Sequence, residues 1–124
     1  MTYWIYAKLA WNPEEDIDSL VKYYCDKAYG DASEYMQKYY RLLKLGWNDA
    51  RETMALEFNC YMTYNTAYIT IWDYFLNIEV DGVNIVEAIK DALSKAYEAA
   101  NDTQKARMQR MIDVYHNAEE VFLS

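Results

Sequence analysis

The sequence predicts an all-α fold, a bundle of about five helices plus a short N-terminal one, and three observations carry that prediction. Gly occurs three times and Pro once in 124 residues, too few breaks for a β fold with a turn at every strand end. Apolar residues recur at helical spacing over most of the chain. At five places an Asn or Asp is followed three residues later by Glu or Gln: Asn12–Glu15, Asp31–Glu34, Asp49–Glu52, Asn84–Glu87 and Asn101–Gln104. This is the Asx form of a capping box. The first side chain accepts from an orphan N–H of the first turn, and the Glu or Gln reaches back to the cap.

Taken in order, Thr2 to Trp11 forms a short amphipathic start in which Trp4, Ile5, Tyr6, Leu9 and Trp11 are apolar. Asn12 with Pro13 at the first helical position predicts the next start. Ile17, Leu20, Val21, Tyr24, Cys25 and Ala28 then share one face, with Asp18, Lys22 and Asp26 opposite. Gly30 and Gly46 fall where helices are expected to stop. Between them Tyr35, Met36, Tyr39, Leu42 and Leu43 form the dry face of a further helix.

The stretch from Asp49 to about Glu79 contains no Gly or Pro but many β-branched residues. Its period decides for helix: Tyr61, Tyr64, Tyr68, Ile71, Phe75 and Ile78 are spaced by three and four. Asn59, Thr63, Thr66, Thr70, Asp73 and Asn77 form a second stripe, and Met62, Ile69, Trp72 and Leu76 make most of the remaining circumference apolar. A long central helix over about 49–79 follows, the spine of the bundle, because a helix apolar almost all round must be covered. Its Asn/Thr stripe carries one ionisable acid, Asp73, and is expected to meet something beyond the other helices. After the loop Asp81-Gly82-Val83, the helix from Ile85 buries Val86, Ile89, Leu93, Ala96, Tyr97 and Ala100. The last helix turns Met108, Met111, Ile112, Tyr115 and Phe122 inward. No linker or repeat divides the chain, so residues 1–124 form one domain.

Charge narrows the partners. A net charge of −8 argues against nucleic acid or an anionic membrane surface, both of which demand concentrated basic residues. The longest charge-free stretch, Phe58 to Trp72, is too short and too rich in Asn and Thr to cross a bilayer. The opening Thr-Tyr-Trp-Ile-Tyr-Ala-Lys lacks the basic start and small-residue cleavage site of a secretory signal, and the compartment stays open.

No catalytic set or cofactor is expected. The single histidine, His116, lies on the wet side of a helix; no His-Glu-x-x-His, Cys-x-x-Cys or glycine-rich phosphate loop occurs. Cys25 and Cys60 sit within helical patterns and read as buried free thiols. Glu14, Glu15 and Asp16 crowd a helix start, where they favour the dipole rather than form a facing acid pair. The fourteen Tyr and four Trp admit two readings: packing between helices, or a stacking surface for sugars formed with Trp4, Trp11, Trp47 and Trp72.

The run Tyr6-Ala-Lys-Leu-Ala-Trp-Asn-Pro-Glu-Glu-Asp-Ile-Asp, followed by Tyr23-Tyr24 and Ala28-Tyr29-Gly30, resembles the helical C-terminal region of an uncharacterised bacterial family of α-glucuronidase-like glycoside hydrolases. The matching residues are Ala7, Lys8, Leu9, Trp11, Asn12, Pro13, Asp16, Gly30, Ala32, Met36 and Tyr39, with a looser fit at Ile89, Leu93, Lys95, Ala96, Ala99 and Arg107. In that family the segment follows a (β/α)₈ barrel. The resemblance therefore implies a non-catalytic accessory domain of a carbohydrate-active enzyme, with residues 1–11 as the last helix of an upstream barrel that carries the catalytic acids. It implies packing against that barrel or dimerisation. It also implies an exposed apolar patch that self-associates when the domain is alone. A free-standing helical interaction module and a carbohydrate-binding aromatic surface are the alternatives. Trp4, Tyr6, Trp11, Thr63, Thr66, Thr70 and Asp73 are the candidate interface residues.

Overall fold

The computed structural model describes residues 1–58 and 73–123. The fold is all-helical, as predicted. Helix α1 spans Thr2–Trp11, α2 Ile17–Tyr29, α3 Ser33–Phe58, α4 Ile85–Ala99 and α5 Asp102–Leu123. A 3₁₀ turn, Gly30–Ala32, joins α2 to α3, and residues 73–76 form a further helical turn. A small antiparallel hairpin, β1 Glu79–Val80 and β2 Val83–Asn84, precedes α4. No described helix is long and apolar enough to cross a membrane.

The caps show which local signals prevail. Asn101–Gln104 is a complete reciprocal box: the Gln104 N–H donates to Asn101 Oδ1 at 2.9 Å, and the Asn101 N–H donates to Gln104 Oε1 at 3.0 Å. Asn84 caps α4 by accepting from the Val86 N–H at 2.9 Å, while its own amide donates to the Leu76 carbonyl at 2.8 Å. That second bond ties the 73–76 turn to the start of α4.

The other three boxes need correction. The Asn12 N–H is taken by the Lys8 carbonyl at 3.0 Å, so Asn12 closes α1 instead of opening α2. The cap of α2 is Asp16, whose Oδ2 accepts from both the Ser19 N–H at 3.2 Å and the Ser19 hydroxyl at 2.6 Å. These bonds hold the Asp16 carboxyl below its ordinary pKa. Asp31 lies inside the 3₁₀ turn, and Asp49 lies within α3.

Gly30 ends α2 as expected, at φ 49°. Gly46 does not end a helix; α3 runs through it. A Cβ at Gly46 would collide with the Phe75 ring and lie 2.6 Å from Ile85 Cδ1. The glycine is thus a notch on α3 into which the 73–76 turn and α4 press. Among the described residues the longest helix is α3, 26 residues from Ser33, so Asp49 lies inside a helix rather than at the start of one. At its other end, the predicted helical span to about Glu79 stops near Leu76. The N–H groups of Asn77 and Ile78 reach back three residues to Tyr74 and Phe75, closing the turn tightly. Asp81 (φ 52°) and Gly82 (φ 78°) then supply the two positive-φ positions of a primed two-residue hairpin turn. Thr63, Thr66, Thr70 and the rest of the stripes over 59–72 lie outside the described residues.

The core runs along α2, α3 and α4, and the α3–α4 pair is its most extensive contact. Met36, Ile85, Ile89, Met108 and Cys25 are its largest fully buried side chains. Burial pushes the free Cys25 thiol up to about 11. Tyr29, Tyr39 and Tyr40 pack within or against this core, and burial raises all three hydroxyls. Packing therefore accounts for these tyrosines. Across the α2–α3 junction, the buried Ser33 hydroxyl donates to Asp26 Oδ1 at 2.5 Å and accepts from the Gln37 amide at 3.0 Å. Lys22 holds the other Asp26 oxygen at 2.7 Å.

Candidate interaction surface

Helix α1 contributes no buried residue. Its half-buried side, Trp4, Ile5 and Leu9, lies against α2. Trp4 stacks on Tyr23 with centroids 5.8 Å apart and planes within 8°, and sits tilted against Tyr24 at 5.8 Å. The Lys8 ammonium lies 5.6 Å from the Trp4 ring, and Lys27 lies 5.7 Å from Tyr23. The result is a cation–ring–ring–cation column that fastens α1 to the outer face of α2.

The opposite side of α1 is also apolar, and it is open. Tyr3 is 89% exposed, Tyr6 66% and Trp11 92%, with Ala7 and Ala10 exposed among them. At about 100° per residue these five positions share one face of the helix. A helix apolar on both faces is normally covered on both. Here one cover is present.

The predicted interface residues therefore separate. Tyr6 and Trp11 lie on the open face of α1. Trp4 does not, because α2 takes it up. Asp73 is exposed on the 73–76 turn, a different element, where its backbone carbonyl accepts from the Asn77 amide at 2.7 Å. Tyr3 joins the surface without being among the predicted residues, although its three-residue spacing from Tyr6 is the signal that places it there.

The second feature is an open cleft of about 580 Å³ between α4 and α5, lined by Lys90, Leu93, Ser94, Tyr97, Glu98, Gln109, Ile112 and His116. His116 is exposed at its edge, as the helical pattern predicts. Among the described residues no three His, Cys, Asp or Glu side chains gather closely enough to hold a metal ion.

Comparison with known proteins adds no relative: no family model, curated protein or solved structure matches the chain.

Proposed function

We propose that this chain is a non-catalytic helical accessory domain of a carbohydrate-active protein of the α-glucuronidase-like kind it resembles, and that its contribution is assembly. The observation that supports this reading is the open aromatic face of α1, a surface of the composition that dominates protein interfaces. Covering the flank of an upstream barrel is a second form of the same role. The reading frame before Met1 distinguishes them, because a continuous barrel-encoding frame favours the barrel.

The non-catalytic part is tested by incubating the chain with aryl glucuronides and related aryl glycosides. No release of the aryl group is expected. Turnover that disappears in His116→Ala would overturn it.

A sugar-binding surface is the second reading, favoured by the same exposed rings. Oligosaccharides titrated at millimolar concentration against the chain and against Trp11→Phe would report it by tryptophan fluorescence. A saturable change in the parent that Trp11→Phe lacks would establish sugar binding.

A further inference from the structure

We infer that the open face of α1 binds the same face of a second copy, the two α1 helices lying antiparallel about a two-fold axis between Tyr6 and Ala7. This inference rests on the reading of α1 as a docking surface and names its occupant.

Three observations select a second copy. First, the pattern is self-complementary. In an antiparallel pair centred between residues 6 and 7, each Tyr3 lies over Ala10 of the other copy, and the two Ala7 residues flank the axis. Each tyrosine then lies over an alanine, Trp11 lies level with Thr2 at the end of the other helix, and the alanines let the helices approach closely. A parallel pair would set Tyr3 on Tyr3 and leave Ala10 facing Ala10.

Second, charge permits approach here. The chain carries twenty acids, yet none precedes Glu14, so α1 is free of them. Two copies of a molecule of net charge −8 repel over much of their surfaces, and α1 is one place where they can meet without stacking carboxylates. Antiparallel helices also set opposite dipole ends side by side.

Third, the area is sufficient for a weak dimer. The three exposed rings offer roughly 500 Å² per copy and about 1,000 Å² in the pair, the floor for a specific interface.

The test is sedimentation velocity on the chain from low micromolar to millimolar concentration, beside Tyr6→Glu/Trp11→Glu and Ala7→Cys. Circular dichroism checks that each variant folds. The chain is expected to pass from monomer to dimer, and the double variant to stay monomeric. Ala7→Cys is expected to form a disulfide between the substituted positions of two copies, identified by peptide mapping. A monomer at every concentration overturns the inference. So does a dimer that persists in the double variant, or one in which the substituted position never cross-links.

Acrylamide quenching of Trp11, followed with the other tryptophans changed to Phe, separates this failure from that of the docking reading. A monomeric chain whose Trp11 becomes shielded in a longer natural protein containing it keeps α1 as a docking face and removes only the second copy. A Trp11 open in both settings removes both.

Discussion

Helices α1 and α4 are both rich in apolar residues, and they end in opposite situations. Helix α4 has its apolar residues on one side, a polar cap at Asn84 and charged Glu87, Asp91 and Lys95 outward; Ile85, Val86, Ile89, Ala92, Leu93 and Ala96 are all buried. Helix α1 has apolar residues on both faces, no side-chain cap and no acid in its first turn, and it buries none of them. The contrast teaches that apolar content does not place a helix in a core. What decides is whether each apolar face has a neighbour: α4 has one such face and α3 covers it, whereas α1 has two and α2 covers one. The surplus face of α1 is then available for a contact made outside the domain.

The sharpest way to break this contrast is truncation. Ile89→Ala or Met36→Ala empties a fully buried site and is expected to cost about 2–5 kcal/mol in urea unfolding. Trp11→Ala, measured at low micromolar concentration, should stay within about 0.5 kcal/mol. An equal cost at Trp11 would put α1 in the core and end the comparison.

Next in size is Gly46→Ala. In an open helix interior this change stabilises by roughly 1 kcal/mol. Against Phe75 and Ile85 the added methyl overpacks by about 1–3 kcal/mol, so net destabilisation is expected. A raised melting temperature would show that the notch has room.

Two of the Asx–Glu/Gln pairs give a smaller, contrasting effect. Asn101→Ala, which removes a complete capping box, should cost about 1 kcal/mol. Asp49→Ala should fall within about half that, since Asp49 is an exposed residue inside α3 and caps nothing.

Smallest at moderate pH is the effect of Cys25. Its thiol titrates near 9.0 in an ordinary environment and at about 11 when buried. The folded state therefore favours the protonated thiol. That contribution is full below pH 9.0 and is lost as pH rises toward about 11. Burial of Tyr29, Tyr39 and Tyr40 acts in the same direction. The urea midpoint should fall through this alkaline range, and that of Cys25→Ala should fall less. An unchanged slope in that variant would remove the assignment to Cys25.

These contrasts also mark how much is legible in the residues alone. Helix α4, the Asn101 box and the stop at Gly30 are readable because each depends on residues within one or two turns. Gly46 misleads because its cause is remote: nothing near it in sequence says that Phe75 and Ile85 need the space of a side chain. The Asp49 box fails for another reason, that Asx and Glu three apart also make an ordinary exposed helix face. At Asn12 two caps compete, and Asp16 prevails because Ser19 offers it both an amide and a hydroxyl. Asp81-Gly82 reads as a loop, although the dipeptide between apolar Val80 and Val83 is itself a hairpin signal. On α1, the outward aromatic face is half visible. Tyr6 and Trp11 stand out and Tyr3 does not, while Trp4 can be assigned to α2 only once Tyr23 lies beneath it.

One contact also bears on the order in which the molecule assembles. The Arg107 guanidinium donates to the Ala28 carbonyl at 2.7 Å across 79 residues of chain, and the Gln104 side chain sits against Gly30 beside it. By contrast, α2 and α3 are near neighbours along the chain. Closing so long a loop has an entropic cost that is repaid only when both ends are already shaped. If the first turns of α5 settle last, on an assembled α2–α3–α4 unit, Arg107→Ala is expected to speed unfolding and leave the refolding rate unchanged in stopped-flow measurements. Refolding slowed as much as unfolding is speeded would place this contact in the folding nucleus instead.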